Sequence, residues 1–522
     1  MHEILTLQLG QQANYLATHF WNAQESYFTY SPDPDSPVDH DIHWRPGLAA
    51  DGHTETYTPR TVIYDLKGGF GSLRKLNALY DDPNSPPEPL WTGPTALHRQ
   101  PPIPASAYQT ALEAGLPPPQ LAPAAVRYWS DFNRVYYHPR SLVQLSEYAL
   151  RSSLQPFERH ASGAELFAQL DAECDVVDRD LRPFAEEADG LQGVQIVCGS
   201  DDAWAGFGAG YLERVRDEFG KLPIVVVGVE GGGEGGVGRE KRLVRLGNQA
   251  RWLSEVYRQA SLVVPLALPK VFPRGVGVER GSAWHTMGLL AAAWESVTLP
   301  TRLREGEGRT RWGEVADGLN VMGRQTVAGL QMSVEPAGEG EGDGTEPRRG
   351  KRLSEEEQNE GAVLDMRFEP SYQLDQVRGR MNGLGGGKTS KVFSQVVAMR
   401  GYPPDEDDEE EEEDQDVRNL RRRRNADGTI TKSYHSQLRF PLLDSFPQIF
   451  KDQEGQPIKD HVNVTTSLST DSSVSEKMKL LRTTVVRSIG LEDREMVGND
   501  LAEMAEEYHE GWSSGSDEGD DE

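Results

Sequence analysis

The chain opens with apolar side chains at Ile4, Leu5, Leu7 and Leu9, a short run that reads as a buried strand. Gly10 ends it, and Gln11 to Trp21 carries the pattern of an amphipathic helix closing on Phe20 and Trp21. A strand, a glycine turn and a helix N-terminus together can form an anion site, because free backbone N–H groups and the helix dipole point at one spot. Residues 31–55 are polar and rich in Pro and Asp and read as loop, and the β-branched stretch 54–66 reads as one strand ending in Asp65-Leu66. Residues 161–229 then run helix, strand, glycine-bearing loop, helix, strand, the rhythm of a parallel doubly wound sheet. Ile224 to Val229 and Leu262 to Leu268 are apolar enough to be buried strands. Between them Leu243, Leu246, Ala250, Leu253 and Tyr257 mark a helix whose Lys241, Arg242, Arg245 and Arg251 are expected on a solvated face. Shorter strands follow, notably Val392 to Met399, and then a helix with Val474, Met478, Leu481, Val485 and Ile489 on one side. Leu501, Met504, Tyr508 and Trp512 give a last helix one apolar face, expected to pack on the protein's own body.

Composition interrupts this pattern in three places. Prolines crowd residues 84–124, which predicts an irregular or polyproline insertion rather than a packed element. Residues 336–361 and 403–428 hold too few apolar side chains to offset the entropy of ordering them. At 522 residues the chain is long enough for several domain-sized units. Only Cys174 and Cys198 are present, which excludes a disulfide framework and a cysteine zinc site. No apolar run approaches the roughly 18 residues of a membrane span, and Met1 leads straight into the first strand, so no cleavable presequence is expected. The net charge of −29 is concentrated: residues 405–416 carry 11 acids and residues 517–522 carry 5, leaving −13 on the rest. Direct nucleic-acid binding by such a body is disfavoured, since neutralising phosphates takes clustered Lys and Arg. The glycines at 231–236 mimic a dinucleotide fingerprint and 382–389 nearly matches a P-loop, but neither leads into a helix as its chemistry requires. They read as a surface loop and a hinge. No Ser/His/Asp or Cys/His constellation and no histidine metal spacing can be argued.

The order Met1-x-Glu3-Ile4, Gln8-x-Gly10-Gln11-x-x-Asn14, with Phe20-Trp21 closing the helix, resembles the opening of tubulin. So do Tyr57-x-Pro59-Arg60-x-Val62-x-x-Asp65-Leu66, Gly163 to Leu166, Asp175 to Val177, Leu191 to Gln195, residues 391–401, Asn499 to Leu501 and Glu506 to Tyr508. The Pro-rich insertion, the Tyr128-Trp129-Ser130-Asp131-Phe132 segment and the acidic mid-chain run make the chain most similar to the Misato family of tubulin-like proteins. The resemblance implies an α/β fold: a tubulin/FtsZ-like doubly wound nucleotide-domain frame, a second, smaller α+β domain and an acidic C-terminal tail. The expected segments are 1–115 (an N-terminal Misato/tubulin-like part running into the insertion), 125–305, 306–490 with its two polar insertions, and 491–522.

The same resemblance lets the phosphate-contacting positions be checked. Gly10, Gln11, Asn14 and Asp65 are kept and are the positions at which any residual nucleotide contact is expected. Other positions depart from the pattern. Tubulin's Asp-Leu-Glu-Pro-Gly is Asp65-Leu66-Lys67-Gly68-Gly69 here, and its Ala-Gly-Asn-Asn loop faces the bulky stretch Tyr128 to Tyr137. Its glycine-rich phosphate loop, which needs bare backbone for close approach, is replaced by Gly199-Ser200-Asp201-Asp202-Ala203-Trp204. Like charges about 4 Å apart repel by roughly 1 kcal/mol in water and by more when desolvated. The catalytic Asn-x-Asp of tubulin's second domain is not recognisable around Arg311 to Asn320. No enzymatic activity and no cofactor are therefore expected, GTP being the one nucleotide such a frame would accept. The resemblance implies a role in partitioning mitochondria and in inheritance of mitochondrial DNA, at the cytosolic face of mitochondria and in the cytoplasm. Expected partners are proteins of the mitochondrial surface or tubulin and chaperonin components, with peripheral membrane association. The alternatives are a cofactor of tubulin and chaperonin-dependent cytoskeleton assembly and a GTP-binding filament former.

Overall fold

A computed structural model describes residues 3–29, 36–49, 52–75, 77, 102–231, 238–304, 308–336, 363–370, 390–402, 429–452, 454–488 and 494–509. The chain begins with β1 (Glu3–Leu9), α1 (Gln11–Ser26), β2 (Trp44–Leu48), β3 (Glu55–Pro59), β4 (Thr61–Lys67), α2 (Ala107–Glu113) and β5 (Leu142–Ala149). It continues through α3 (His160–Cys174), α4 (Arg182–Glu186), β6 (Leu191–Gly199), α5 (Ala203–Glu218), β7 (Ile224–Val229), α6 (Arg239–Val256), β8 (Leu262–Leu266) and α7 (Ala283–Thr298). The remainder is α8 (Trp312–Leu319), β9 (Gly329–Pro336), β10 (Val363–Asp365), β11 (Val392–Arg400), β12 (Ile430–Ser436), β13 (Phe440–Leu442), β14 (Asp460–Asp471), α9 (Ser473–Ser488) and α10 (Arg494–Glu507).

Six strands form a wholly parallel sheet in the order β5-β4-β1-β6-β7-β8. Every residue of β1, β7 and β8 is buried, as a sheet covered on both faces requires. One face packs on α1 and α7, the other on α3, α5 and α6. α3 and α5 approach through glycine: a Cβ on Gly163 would lie 1.7 Å from the Ala203 carbonyl oxygen. The second sheet runs β10-β9-β14-β11-β12, with β13 on β14, and only its β11–β12 pair is parallel. Burial alternates along β11 and β14, so this sheet has one core face, and α7 lies against it. A doubly wound frame with a smaller mixed domain is thus the architecture. α9 and α10 pack on α6, burying Val474, Met478, Leu481, Val485, Leu501, Met504 and Tyr508.

A buried ionic cluster ties the two sheets together. Glu295 on α7 accepts from Arg302 at 2.5 Å, from Tyr27 at 3.0 Å, from Gln24 at 3.1 Å and from Arg400 on β11. All three charged side chains are at most 1% exposed.

Local readings needed correction where tertiary contacts intervene. The stretch 54–66 is two strands. Arg60 forms a bend whose N–H donates to His43 O while its carbonyl accepts from Thr6 N, so β3 pairs antiparallel with β2 and β4 parallel with β1. β2 itself lies inside the stretch read as loop. The Pro-rich insertion contains α2, because Ala105 to Leu116 is free of proline and the Ser106 hydroxyl accepts from Gln109 N as its cap. Tyr108 on α2 is buried and donates to Asp444 at 2.9 Å. Residues 403–428, 337–361, 382–389 and 232–237, with Ile489, Trp512 and the tail, lie outside the described residues.

Candidate nucleotide site

The loops that follow β1, β4 and β6 meet at the C-terminal end of the parallel sheet, where ligands bind in folds of this kind. Gly10 joins β1 to α1 with φ +90°, a conformation that favours glycine, and its N–H donates to Tyr64 O at 3.0 Å. Above it lies the Trp204 indole. A Cβ on Gly10 would meet Trp204 Nε1 at 2.3 Å, and the indole packs edge-on against Phe157 and Phe207 at 5.3 and 5.5 Å. Trp204 is 4% exposed.

The other retained polar residues converge on Asp65. Its Oδ2 accepts from Gln11 Nε2 at 2.5 Å, Asn14 Nδ2 at 2.8 Å and Trp129 Nε1 at 3.0 Å, and its Oδ1 accepts from Leu66 N at 2.8 Å. Burial raises the Asp65 carboxyl to about 6, against the pull of these donors toward the charged form. Gln11 also donates to Gly69 O at 3.0 Å. The four sequence candidates, Gly10, Gln11, Asn14 and Asp65, are therefore adjacent, and the Gln11 and Asn14 side chains both donate to the Asp65 carboxylate.

The loop after β6 is closed by its own carboxylates. Asp202 caps α5, accepting from Trp204 N at 2.9 Å, and burial followed by the neighbouring Asp201 raises it to about 7. Asp201 turns the other way: it accepts from Gly231 N at 3.0 Å and faces Arg245 Nε at 3.7 Å. Burial raises the Asp201 carboxyl while Arg245 opposes it. Asn248 Nδ2 holds the Asp201 carbonyl at 2.9 Å. Arg245 thus belongs to the site rather than to a solvated basic face, and Lys241 pairs with Glu158 at 2.7 Å.

The aromatic stretch after residue 128 supplies the floor. Trp129 and Phe132 are fully buried, and Phe132 packs on His19 and Tyr15 with ring centroids 4.5 and 5.8 Å away. Burial lowers His19 to about 3, leaving a neutral ring that bonds Trp284 O at 3.0 Å. Trp129, Phe157 and Arg245 were not singled out by the sequence for these roles; the concentration of bulky side chains in 128–137 was the only signal. Among the described residues no group of three His, Cys, Asp or Glu side chains is placed to hold a metal ion. No described helix is long and apolar enough to cross a membrane.

Comparison with known proteins agrees with this architecture. A family model described as the Misato Segment II tubulin-like domain matches residues 2–114, and a tubulin-domain model matches residues 118–303. Protein dml-1 of Neurospora crassa is 58% identical over 543 residues, covering all of both chains. Protein DML1 of Gibberella zeae is 45% identical, again over the whole of both. Protein dml1 of Schizosaccharomyces pombe is 31% identical over 64% of this chain and 73% of its own.

Proposed function

The chain belongs to the Misato (DML1) family of tubulin-like proteins, and from that premise we propose that it works without GTP hydrolysis, in partitioning mitochondria and in inheritance of mitochondrial DNA. One observation carries the non-enzymatic part: the Trp204 indole lies on Gly10, the glycine whose bare backbone a phosphate would need to approach. The polar groups that could follow a nucleotide's phosphates are committed to each other around Asp65. Asp201, which is buried, and Asp202, which is partly buried, add two carboxylates where negative charge would have to bind. Nothing in this arrangement pairs a nucleophile with a base. The frame then serves as a scaffold whose surfaces, rather than its pocket, do the work, at the cytosolic face of mitochondria and in the cytoplasm.

Two measurements test this. Purified protein is expected to show negligible GTP turnover and no nucleotide-induced rise in thermal stability. Turnover like that of an active tubulin-family GTPase, abolished by Gln11→Ala, overturns the reading. Proximity labelling should return proteins of the mitochondrial outer surface. A set made of tubulin and chaperonin subunits instead transfers the function to cytoskeleton assembly.

A further inference from the structure

A parallel sheet delivers the loops that follow its strands to one end. In the first sheet these include residues 68–75 after β4, 150–159 after β5 and 267–282 after β8. The chain is strongly acidic overall, yet Arg74, Lys75, Arg151, Arg159 and Arg274 are all exposed on these loops, as is Lys270, which faces Glu369 at 4.0 Å. Exposed acids on the same loops are Glu158, which pairs with Lys241 at 2.7 Å, and Glu279. Leu154 and Val271, 96% and 76% exposed, are the two most exposed large apolar residues among those described, and both sit here.

The apolar tips are held outward by ordered backbone. Arg280 Nη2 donates to the carbonyls of Pro269 and Lys270 at 2.6 and 2.8 Å, and its guanidinium lies 4.7 Å over the Phe272 ring. Farther along the loop, Gly277 N donates to Ile449 O, and Lys451 N to Gly275 O, each at 2.8 Å. The Leu154 loop is anchored by Phe157 against Trp204 and by Gln155 N donating to Ser152 Oγ at 3.2 Å. β5 and β8 are the two edges of the sheet, so the tips flank a cationic end about 24 Å wide, five strand spacings.

We propose that this end of the first sheet docks on an anionic phospholipid bilayer, Leu154 and Val271 entering the headgroup region while the flanking cations meet lipid phosphates. An acidic protein segment would match the cations but leave both apolar tips in water, which favours the bilayer. The chain's overall negative charge does not forbid contact, because at physiological salt charges beyond about 8 Å are screened and the local face decides. The inference rests on the mitochondrial reading above only for which membrane is met.

The full chain would be sedimented with vesicles of phosphatidylcholine alone and of phosphatidylcholine containing cardiolipin. Binding is expected to the anionic vesicles only and to weaken as salt is raised. Arg274→Ala should lower partitioning about fivefold, the effect of one cation at an anionic surface. Leu154→Asp with Val271→Asp should abolish partitioning with an unchanged circular dichroism spectrum, since both side chains already face water. No preference for anionic vesicles, or full binding by the double variant, overturns the proposal. So does salt-sensitive capture by polyglutamate that survives the double substitution while vesicles are ignored; that outcome assigns the face to an acidic protein. Vesicle binding by the wild type, lost in a double variant that still fractionates with mitochondria, supports the lipid face and counts against mitochondrial attachment through it.

Discussion

Glu295→Gln is the sharpest test of how the two sheets are held together. The substitution keeps the side-chain volume and an acceptor for Tyr27 but removes the one carboxylate between Arg302 and Arg400. Each pair, at about 3 Å and an effective dielectric near 20, is worth roughly 5 kcal/mol before desolvation. Breaking one buried pair by removing a partner typically costs about 3–5 kcal/mol. With two guanidiniums stranded, a loss at or above the top of that range is expected, against a total stability of about 5–15 kcal/mol for a typical domain. Arg400 also donates to the carbonyls of Leu438 and Arg439 at 3.0 Å, so its charge stays in place when Glu295 is lost. Replacing the whole cluster with Glu295→Leu, Arg302→Met and Arg400→Met should return stability to within about 2 kcal/mol of wild type, because no charge is then left buried. Urea unfolding followed by tryptophan fluorescence and circular dichroism reads both variants. The wild type carries a pH signature too. Burial opposes ionisation of Glu295, but Arg400 and Arg302 overcome it and hold the carboxyl below its usual range. Its contribution is therefore present above the unfolded carboxylate pKa and lost as pH falls through the lower folded value, and Glu295→Gln should lack that acid limb. A loss under about 1 kcal/mol for Glu295→Gln, or a triple variant no better than the single one, refutes the reasoning.

Asp202→Asn keeps the α5 cap but removes a carboxyl raised to about 7. A raised carboxyl contributes stability below the unfolded pKa that is lost as pH rises through the folded one. The variant should therefore melt higher than wild type at mildly alkaline pH and flatten the melting profile through neutrality; an unchanged profile sinks the assignment. Trp204→Ala should cost about 3–5 kcal/mol as a buried indole. Gly10→Ala should cost several kcal/mol through its Cβ–indole clash and left-handed φ, with part of that cost relieved in the double variant; strict additivity in a double-mutant cycle would show that the two do not touch. Tyr508→Phe strands the N–H and carbonyl of Val327, bonded to the hydroxyl at 2.7 and 3.0 Å, and should lower stability by about 1–3 kcal/mol. Deleting 403–428 should leave the melting midpoint nearly unchanged, because the segment has almost nothing apolar to bury; a large drop shows that composition misled.

Much of the candidate site was legible in the residues. The resemblance named Gly10, Gln11, Asn14 and Asp65; the first three follow the end of β1 and Asp65 lies near the end of the neighbouring parallel strand β4, so the doubly wound topology brings them together. The direction in which Asp201, Asp202 and Trp204 point was not legible. A loop of three large polar or aromatic residues can turn each side chain several ways, and the outcome depends on Gly231, Arg245 and Phe157, residues distant in sequence. Arg245 shows the limit well: helical periodicity places it among solvated cations, and only the neighbouring loop's carboxylate turns it inward.

The sequence alone determined the class of the fold, since continuous apolar strands separated by amphipathic helices have few ways to bury both faces except a parallel, doubly wound sheet. It also determined that the C-terminal helix has an apolar face, because 3.6-residue periodicity is a local property. Tertiary structure decided what periodicity cannot encode. It bent the chain at Arg60 so that one apparent strand serves two sheets, and it ordered a helix inside the Pro-rich insertion by giving Tyr108 a place to be buried. It set the Trp204 indole on Gly10 and gathered Glu295, Arg302 and Arg400 into one buried cluster. Each of these depends on contacts between residues far apart in the chain, whose energies exceed the local preferences that a sequence pattern records.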